Sequence, residues 1–131
     1  MSEPTQPFSL APGKGRILPT PAGGQVTFKV RGTDSSGTVS VLEFEVPAGA
    51  GPRLHVHGQA EECIYVLHGR LRIQLGGETH DARAGSCVFI PRGTPHHFQN
   101  VGHDRATLLG VYTPGGIEAF FEGFAAGEPL A

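Results

Sequence analysis

The sequence predicts an all-β fold, a jelly-roll β-barrel with one short helix near the C-terminus. Three observations carry that prediction. From Gln25 onward the chain breaks into short runs rich in Val, Ile, Leu, Phe and Thr, separated by Gly, Pro, Asp and Ser, which is the pattern of strands joined by turns. In "LRIQL" the apolar Leu71, Ile73 and Leu75 alternate with Arg72 and Gln74, and Gly76-Gly77 follows, a half-buried strand entering a tight hairpin turn of positive φ. Only "GGIEAFFEGFAAG" has helical spacing, with Ile117, Phe120, Phe121 and Phe124 on one face and Gly127 placed to end it. Many short strands with few helices need their edges hidden, and a sandwich or closed barrel does this.

The elements follow in order. Residues 1–15 are rich in Pro and Gly and lack apolar periodicity, which predicts a loose arm ahead of one domain over residues 16–131. The predicted strands are "QVTFKVRG", "VSVLEFEVP", "RLHVH", "ECIYVLHG", "RLRIQL", "ETHDARA", "SCVFIP", "HHFQNVG" and "RATLLGVYTP". The helix is expected to pack its aromatic face on the barrel as core; the alternative is a lid over a ligand pocket. No internal repeat interrupts this order.

A chain of 131 residues suits a single core that buries roughly two-thirds of the unfolded surface. The net charge of −2 and the dispersed Lys and Arg offer no field to gather nucleic acid or anionic lipid. The start "MSEPTQPFSLAPGKGR" lacks the basic and apolar segments of a secretory signal, so a cytoplasmic location is expected. Each apolar run is too short to span a bilayer. Cys63 and Cys87 sit in the apolar runs "ECIYVL" and "SCVFIP" and are expected to be reduced core thiols. Whether they can be bridged depends on a geometry outside the reach of sequence.

The chemistry concentrates in "GAGPRLHVHGQAEECIYVLHG", residues 49–69. His55 and His57 are two apart, so on an extended strand both project from one face with Cα atoms about 6.6 Å apart, close enough for two imidazoles to share one metal ion. His96 and His97 are neighbours, so only one can face the same interior. Parity does not choose between Glu61 and Glu62, because the strand that follows is apolar on both faces. His68, His80 and His103 lie in polar, turn-like settings and are expected to be exposed. In Pro91-Arg92-Gly93-Thr94-Pro95 the prolines restrict φ and Gly93 can take a positive one, swinging the chain so that His96 meets ligands from elsewhere.

Two motifs here resemble those of the cupins. The first, Gly, five residues, His-x-His, four residues, Glu, six residues, Gly, is met by Gly49, His55, His57, Glu62 and Gly69. The second, Gly, five residues, Pro-x-Gly, two residues, His, three residues, Asn, is met by Gly85, Pro91, Gly93, His96 and Asn100. The resemblance implies a cupin-type jelly roll in which His55, His57, Glu62 and His96 hold one divalent transition metal ion, with His97 and Glu61 as bystanders. Asn100 is expected at a turn or sheet end. Such a set leaves coordination positions open and suits Fe, Mn, Ni, Co, Cu or Zn.

Within that family, "PRLHVH", "FIPRGTPHHFQN" and "YTPGGIEAFFEGF" resemble the small quercetin dioxygenase-like group. That likeness implies a metal-dependent dioxygenase cleaving a C–C bond of a small aromatic or enolic substrate, with Glu62 as catalytic base as well as ligand. The alternatives are a non-oxidative isomerase or lyase acting on a sugar acid or keto acid, and a binding module without turnover. Arg53 or Arg92 would suit a substrate carboxylate. Phe89, Phe98 and Tyr112 would line the pocket or fill the barrel. A homodimer is expected from the family likeness and the general problem of exposed sheet edges.

Overall fold

A computed structural model describes residues 5–128. The elements are β1 (Arg16–Pro19), β2 (Gln25–Val30), a single 3-10 turn (Gly32–Asp34), β3 (Ser40–Val46), β4 (Glu61–His68), β5 (Arg70–Leu75), β6 (Glu78–Arg83), β7 (Cys87–Ile90), β8 (His96–Asn100), β9 (Ala106–Thr113) and α1 (Glu118–Ala125). They form an antiparallel six-stranded sheet of order β1-β2-β3-β9-β4-β7 and an antiparallel three-stranded sheet of order β6-β5-β8. This is the expected all-β jelly roll with its short C-terminal helix.

Strand periodicity places the core. In β3, Ser40, Leu42, Phe44 and Val46 are buried and the residues between them are half-buried, the alternation that a pleated strand imposes. β9 buries Ala106, Leu108, Gly110 and Tyr112, and β4 buries Glu62, Ile64 and Val66. From the smaller sheet, Leu71 and Ile73 close the core. Burying each such aliphatic side chain stabilises the fold by roughly 1.5–3 kcal/mol. Leu75 pairs with Glu78 across the Gly76-Gly77 turn, and of the two glycines only Gly76 takes a positive φ, 56°.

The structure departs from the sequence reading in several places. "RILP" forms β1 on the edge of β2; a four-residue strand with a terminal proline carries too little alternation to announce itself. "RLHVH" does not form a strand, and only His55 bridges, to His96. Gly51 sets the path there: a Cβ on it would lie 1.8 Å from the Phe98 carbonyl oxygen, so only glycine permits the approach. The cysteines are not core thiols, since Cys63 is half-buried and Cys87 exposed. Both occupy outward positions, opposite in parity to the inward Glu62 and Ile90. Of the arm expected over residues 1–15, residues 1–4 lie outside the described residues, and residues 5–15 are exposed without strand or helix.

Helix α1 follows the predicted pattern and ends before Gly127, which takes φ 82°. Its anchor is Glu118, 6% exposed. One carboxyl oxygen of Glu118 accepts the Gly32 N–H at 2.6 Å, and the other accepts the Ser40 hydroxyl at 2.6 Å. The Ser40 oxygen in turn accepts the Gly116 N–H at 2.8 Å. Among the described residues no helix is long and apolar enough to cross a membrane.

Candidate metal centre

Three histidines meet inside the barrel. His55 and His96 exchange both backbone hydrogen bonds at 2.9 Å, so the isolated bridge sets the two rings side by side, 4.2 Å between centroids. His57, two residues on, follows on the same face with its ring 4.9 Å from that of His55 and 5.1 Å from that of His96. The Gly93 N–H donates to the His57 carbonyl at 2.9 Å, and Gly93 takes the expected positive φ, 84°. The Pro91–Pro95 turn is therefore tied to the very segment its histidine must meet. One ligand atom from each of the three imidazoles lies within 4.8 Å of the others.

Two of the rings are oriented by carbonyls two residues upstream. His55 Nδ1 lies 2.7 Å from the Arg53 carbonyl oxygen and His96 Nδ1 2.8 Å from that of Thr94. A carbonyl only accepts, so each Nδ1 is the donor, leaving Nε2 as a lone pair when the ring is neutral. Strand β4 brings Glu62 to the same place: Glu62 Oε1 lies 3.2 Å from His57 Nε2 and 3.3 Å from His96 Nε2. The Tyr112 hydroxyl donates to Glu62 Oε2 at 2.9 Å.

This geometry contains a conflict that a cation resolves. Glu62 Oε1 and His96 Nε2 are both buried, and neither has a hydrogen-bond partner. A carboxylate oxygen and an imidazole lone pair facing one another repel unless a proton or a metal ion stands with them, and an unpaired buried polar atom costs about 1–3 kcal/mol. Three nitrogens and one carboxylate oxygen are donors that a divalent transition metal accepts. The residues present therefore fit such an ion.

Burial and the neighbouring groups act on each side chain of the site in a different direction. Burial, helped by the nearby His96 and His57 rings, lowers the pKa of His55 despite its bond to the Arg53 carbonyl, which keeps the ring neutral and able to coordinate. For Glu62, burial alone would raise the carboxyl, but His57, His96 and Tyr112 outweigh it and bring the value down to about 2. His96 is likewise opposed by burial, yet Glu62 and the Thr94 carbonyl raise its pKa. Burial and the Glu62 charge push Tyr112 well above the usual phenol range, so its hydroxyl keeps the proton it donates.

Above the centre lies a cavity of about 680 Å³, walled by Phe44, Phe98, Leu108, Phe121 and Phe124. The aromatic stripe of α1 packs on the barrel as expected, with Ile117 and Phe121 against the buried core, and it also faces this cavity. Phe121 meets Phe44 edge-on at 5.5 Å, and Ile117, Phe120, Phe121 and Phe124 all line this cavity. Phe98 and Tyr112 line it as well, whereas Phe89 points outward from β7 and is 60% exposed.

The other candidates lie elsewhere. His97 turns away to Gln74, 3.0 Å from its side-chain oxygen, and Glu61 faces Arg92 at 3.5 Å. His68, His80 and His103 are exposed. Asn100 is buried and staples the sheet end: its amide donates to the Val46 and Asp104 carbonyls at 3.0 and 2.8 Å, and its oxygen accepts the Gly102 N–H at 2.9 Å. Sequence reasoning missed the bond from Tyr112 to Glu62. Its signal is the register of β9 on β4, where the two residues are partners, and register across distant strands cannot be read from one sequence.

Residues 42–112 match a family model described as a cupin domain. The chain is 38% identical over 70 residues to an uncharacterised protein of Methanocaldococcus jannaschii, covering 53% of this chain and 56% of that one. It is 34% identical over 109 residues to a quercetin 2,3-dioxygenase of Bacillus subtilis, covering 82% of this chain and 31% of the enzyme. The chain thus spans from under a third to just over half of the length of these curated relatives. Among solved structures, KdgF from Halomonas sp. superposes with a TM-score of 0.77 at 16% identity, covering 87% of this chain and 99% of that one, a likeness of fold alone.

Proposed function

The chain belongs to the cupin family, and from that premise we propose that it is a metal-dependent dioxygenase acting on a small aromatic or enolic substrate by quercetinase-like oxidative C–C cleavage. The observation that carries this reading is the pair of buried acceptors, Glu62 Oε1 and His96 Nε2, without partners at the base of an aromatic-walled cavity. The likeness to the Bacillus subtilis quercetin 2,3-dioxygenase supports the choice of reaction.

His55, His57 and His96 would hold the ion through ring nitrogens and Glu62 through its carboxylate. A bound divalent ion supplies Lewis acidity toward a substrate hydroxyl and, if redox-active, a route for electrons to O₂. The protein's own groups do the rest. The cavity's volume and its phenylalanine walls suit a flat apolar body, and such concave, mostly apolar sites orient a ligand through a few polar groups at one end. Those groups here are the imidazoles, Glu62 and Tyr112, with Thr20, Glu45 and Arg53 also in the lining.

Within Glu62 the two oxygens are differentiated. Oε2 is engaged by the Tyr112 hydroxyl, and Oε1 is free of hydrogen bonds, so Oε1 is the oxygen that would face the ion and, through its second lone pair, accept the proton of an incoming enol or phenol. A carboxyl held at about 2 is a weak base, which favours its ligand role and makes the proton-accepting role the more demanding of the two. Tyr112 keeps the carboxylate aimed. A homodimer and a cytoplasmic location complete the proposal.

The test is oxygen uptake with a panel of flavonols and simpler enols, using protein reconstituted anaerobically with each of Fe, Mn, Ni, Co and Cu. The proposal expects stoichiometric uptake with product formation, abolished in Glu62→Gln. Turnover of a keto acid or sugar acid without oxygen uptake would replace it with a non-oxidative isomerase or lyase. Ligand binding without any product would leave a binding module.

A further inference from the structure

The cavity chemistry leaves one reactive pair unused, on the opposite surface of β4. Side chains at 62, 64 and 90 point into the barrel, while those at 63 and 87 point out. Cys63 faces Phe89 and Cys87 faces Tyr65 across the β4–β7 ladder, so the cysteines are diagonal neighbours. Sheet twist brings diagonal side chains together, and here the sulfurs stand 3.2 Å apart as free thiols. Among the described residues β7 is the edge of its sheet and pairs with β4 alone, so it can shift without disturbing a further ladder.

We propose that Cys63 and Cys87 form a modification site, a surface dithiol that a low-molecular-weight disulfide converts to an intramolecular disulfide. Cys87 is the more exposed and reacts first. Its thiolate attacks one sulfur of the small disulfide; that S–S bond breaks and one small thiol leaves. Cys63 then loses its proton to solvent and attacks the Cys87 sulfur, and the second small thiol leaves. Two protein thiols are oxidised and one small disulfide is reduced to two thiols. A disulfide bond is about 2.05 Å, so the sulfurs close by about 1.2 Å, and the second step is intramolecular. The product ties the edge strand to β4 behind Glu62.

The experiment incubates the purified full chain with excess oxidised glutathione, quenches with acid, and combines intact mass, a free-thiol count in denaturant and peptide mapping. The expected result is loss of both thiols together, a mass lower by two hydrogens, and a peptide joining Cys63 to Cys87 within one chain. Cys63→Ser should instead hold a lasting glutathione adduct at Cys87. A stable adduct at Cys87 of the wild type beside an unreacted Cys63 would overturn the proposal. So would a bond between two chains, or two unreacted thiols under excess oxidant. The wild-type readout stands whether or not a variant folds.

Discussion

Replacing Glu118 with glutamine isolates the joint that holds α1 across the cavity. The side chain is buried, and its two oxygens accept two donors at 2.6 Å, from Gly32 and Ser40. Bonds this short to a carboxylate contribute roughly 1.5–3 kcal/mol each. Glutamine keeps the shape and an acceptor for the Gly32 N–H and turns its amide N–H₂ toward the Ser40 hydroxyl, which can accept it, so two charge-assisted bonds are exchanged for neutral ones and the Ser40 hydroxyl proton loses its acceptor. The bonds share one side chain, which makes their effects non-additive, and the expected loss is about 1.5 kcal/mol. For a chain of this length that lowers Tm by about 5 °C. Urea unfolding followed by far-UV circular dichroism measures the free energy, and hydrogen exchange should show α1 amides opening faster while those of β9 are unchanged. A loss below about 0.5 kcal/mol, or uniform loosening of the whole barrel, would refute the assignment of Glu118 as the helix anchor.

Other residues give further tests. Asn100→Ala strands the Val46 and Asp104 carbonyls and the Gly102 N–H and should cost about 3 kcal/mol by denaturant titration. Gly51→Ala drives a Cβ to 1.8 Å from the Phe98 carbonyl; the segment carrying His55 must shift, and both stability and metal affinity should fall, by thermal melting and by chelator competition. Tyr112→Phe removes the donor to Glu62 Oε2 and should weaken metal binding by about 10–100-fold, the usual effect of losing a group that orients a ligand, with the circular dichroism spectrum unchanged.

Much of this architecture was legible because strand parity is a local property. His55 with His57, and the choice of only one of His96 and His97, follow from alternation, and the buried His96 beside a half-buried His97 shows the rule at work. The same rule, applied to β7, would have turned Phe89 outward with Cys87; periodicity over a four-residue strand is too short to insist on it. What could not be read depends on register between distant segments. Tyr112 meets Glu62 because β9 inserts between β3 and β4, and Glu118 meets Ser40 across 78 residues. The aromatic stripe of α1 was legible as a stripe, but which surface it covers is set by the tethers at Gly32 and Ser40, and these place it over the cavity.

The proposed function stands on His55, His57, Glu62 and His96 together holding one divalent metal ion. Metal content of untagged protein, purified without chelator and reconstituted anaerobically, tests it most directly when wild type is compared with His55→Ala and His96→Ala. The expected result is near-stoichiometric metal in the wild type and its loss in both variants while circular dichroism shows the fold retained. Undiminished metal in both variants, or none retained by the wild type with any candidate ion, would contradict it.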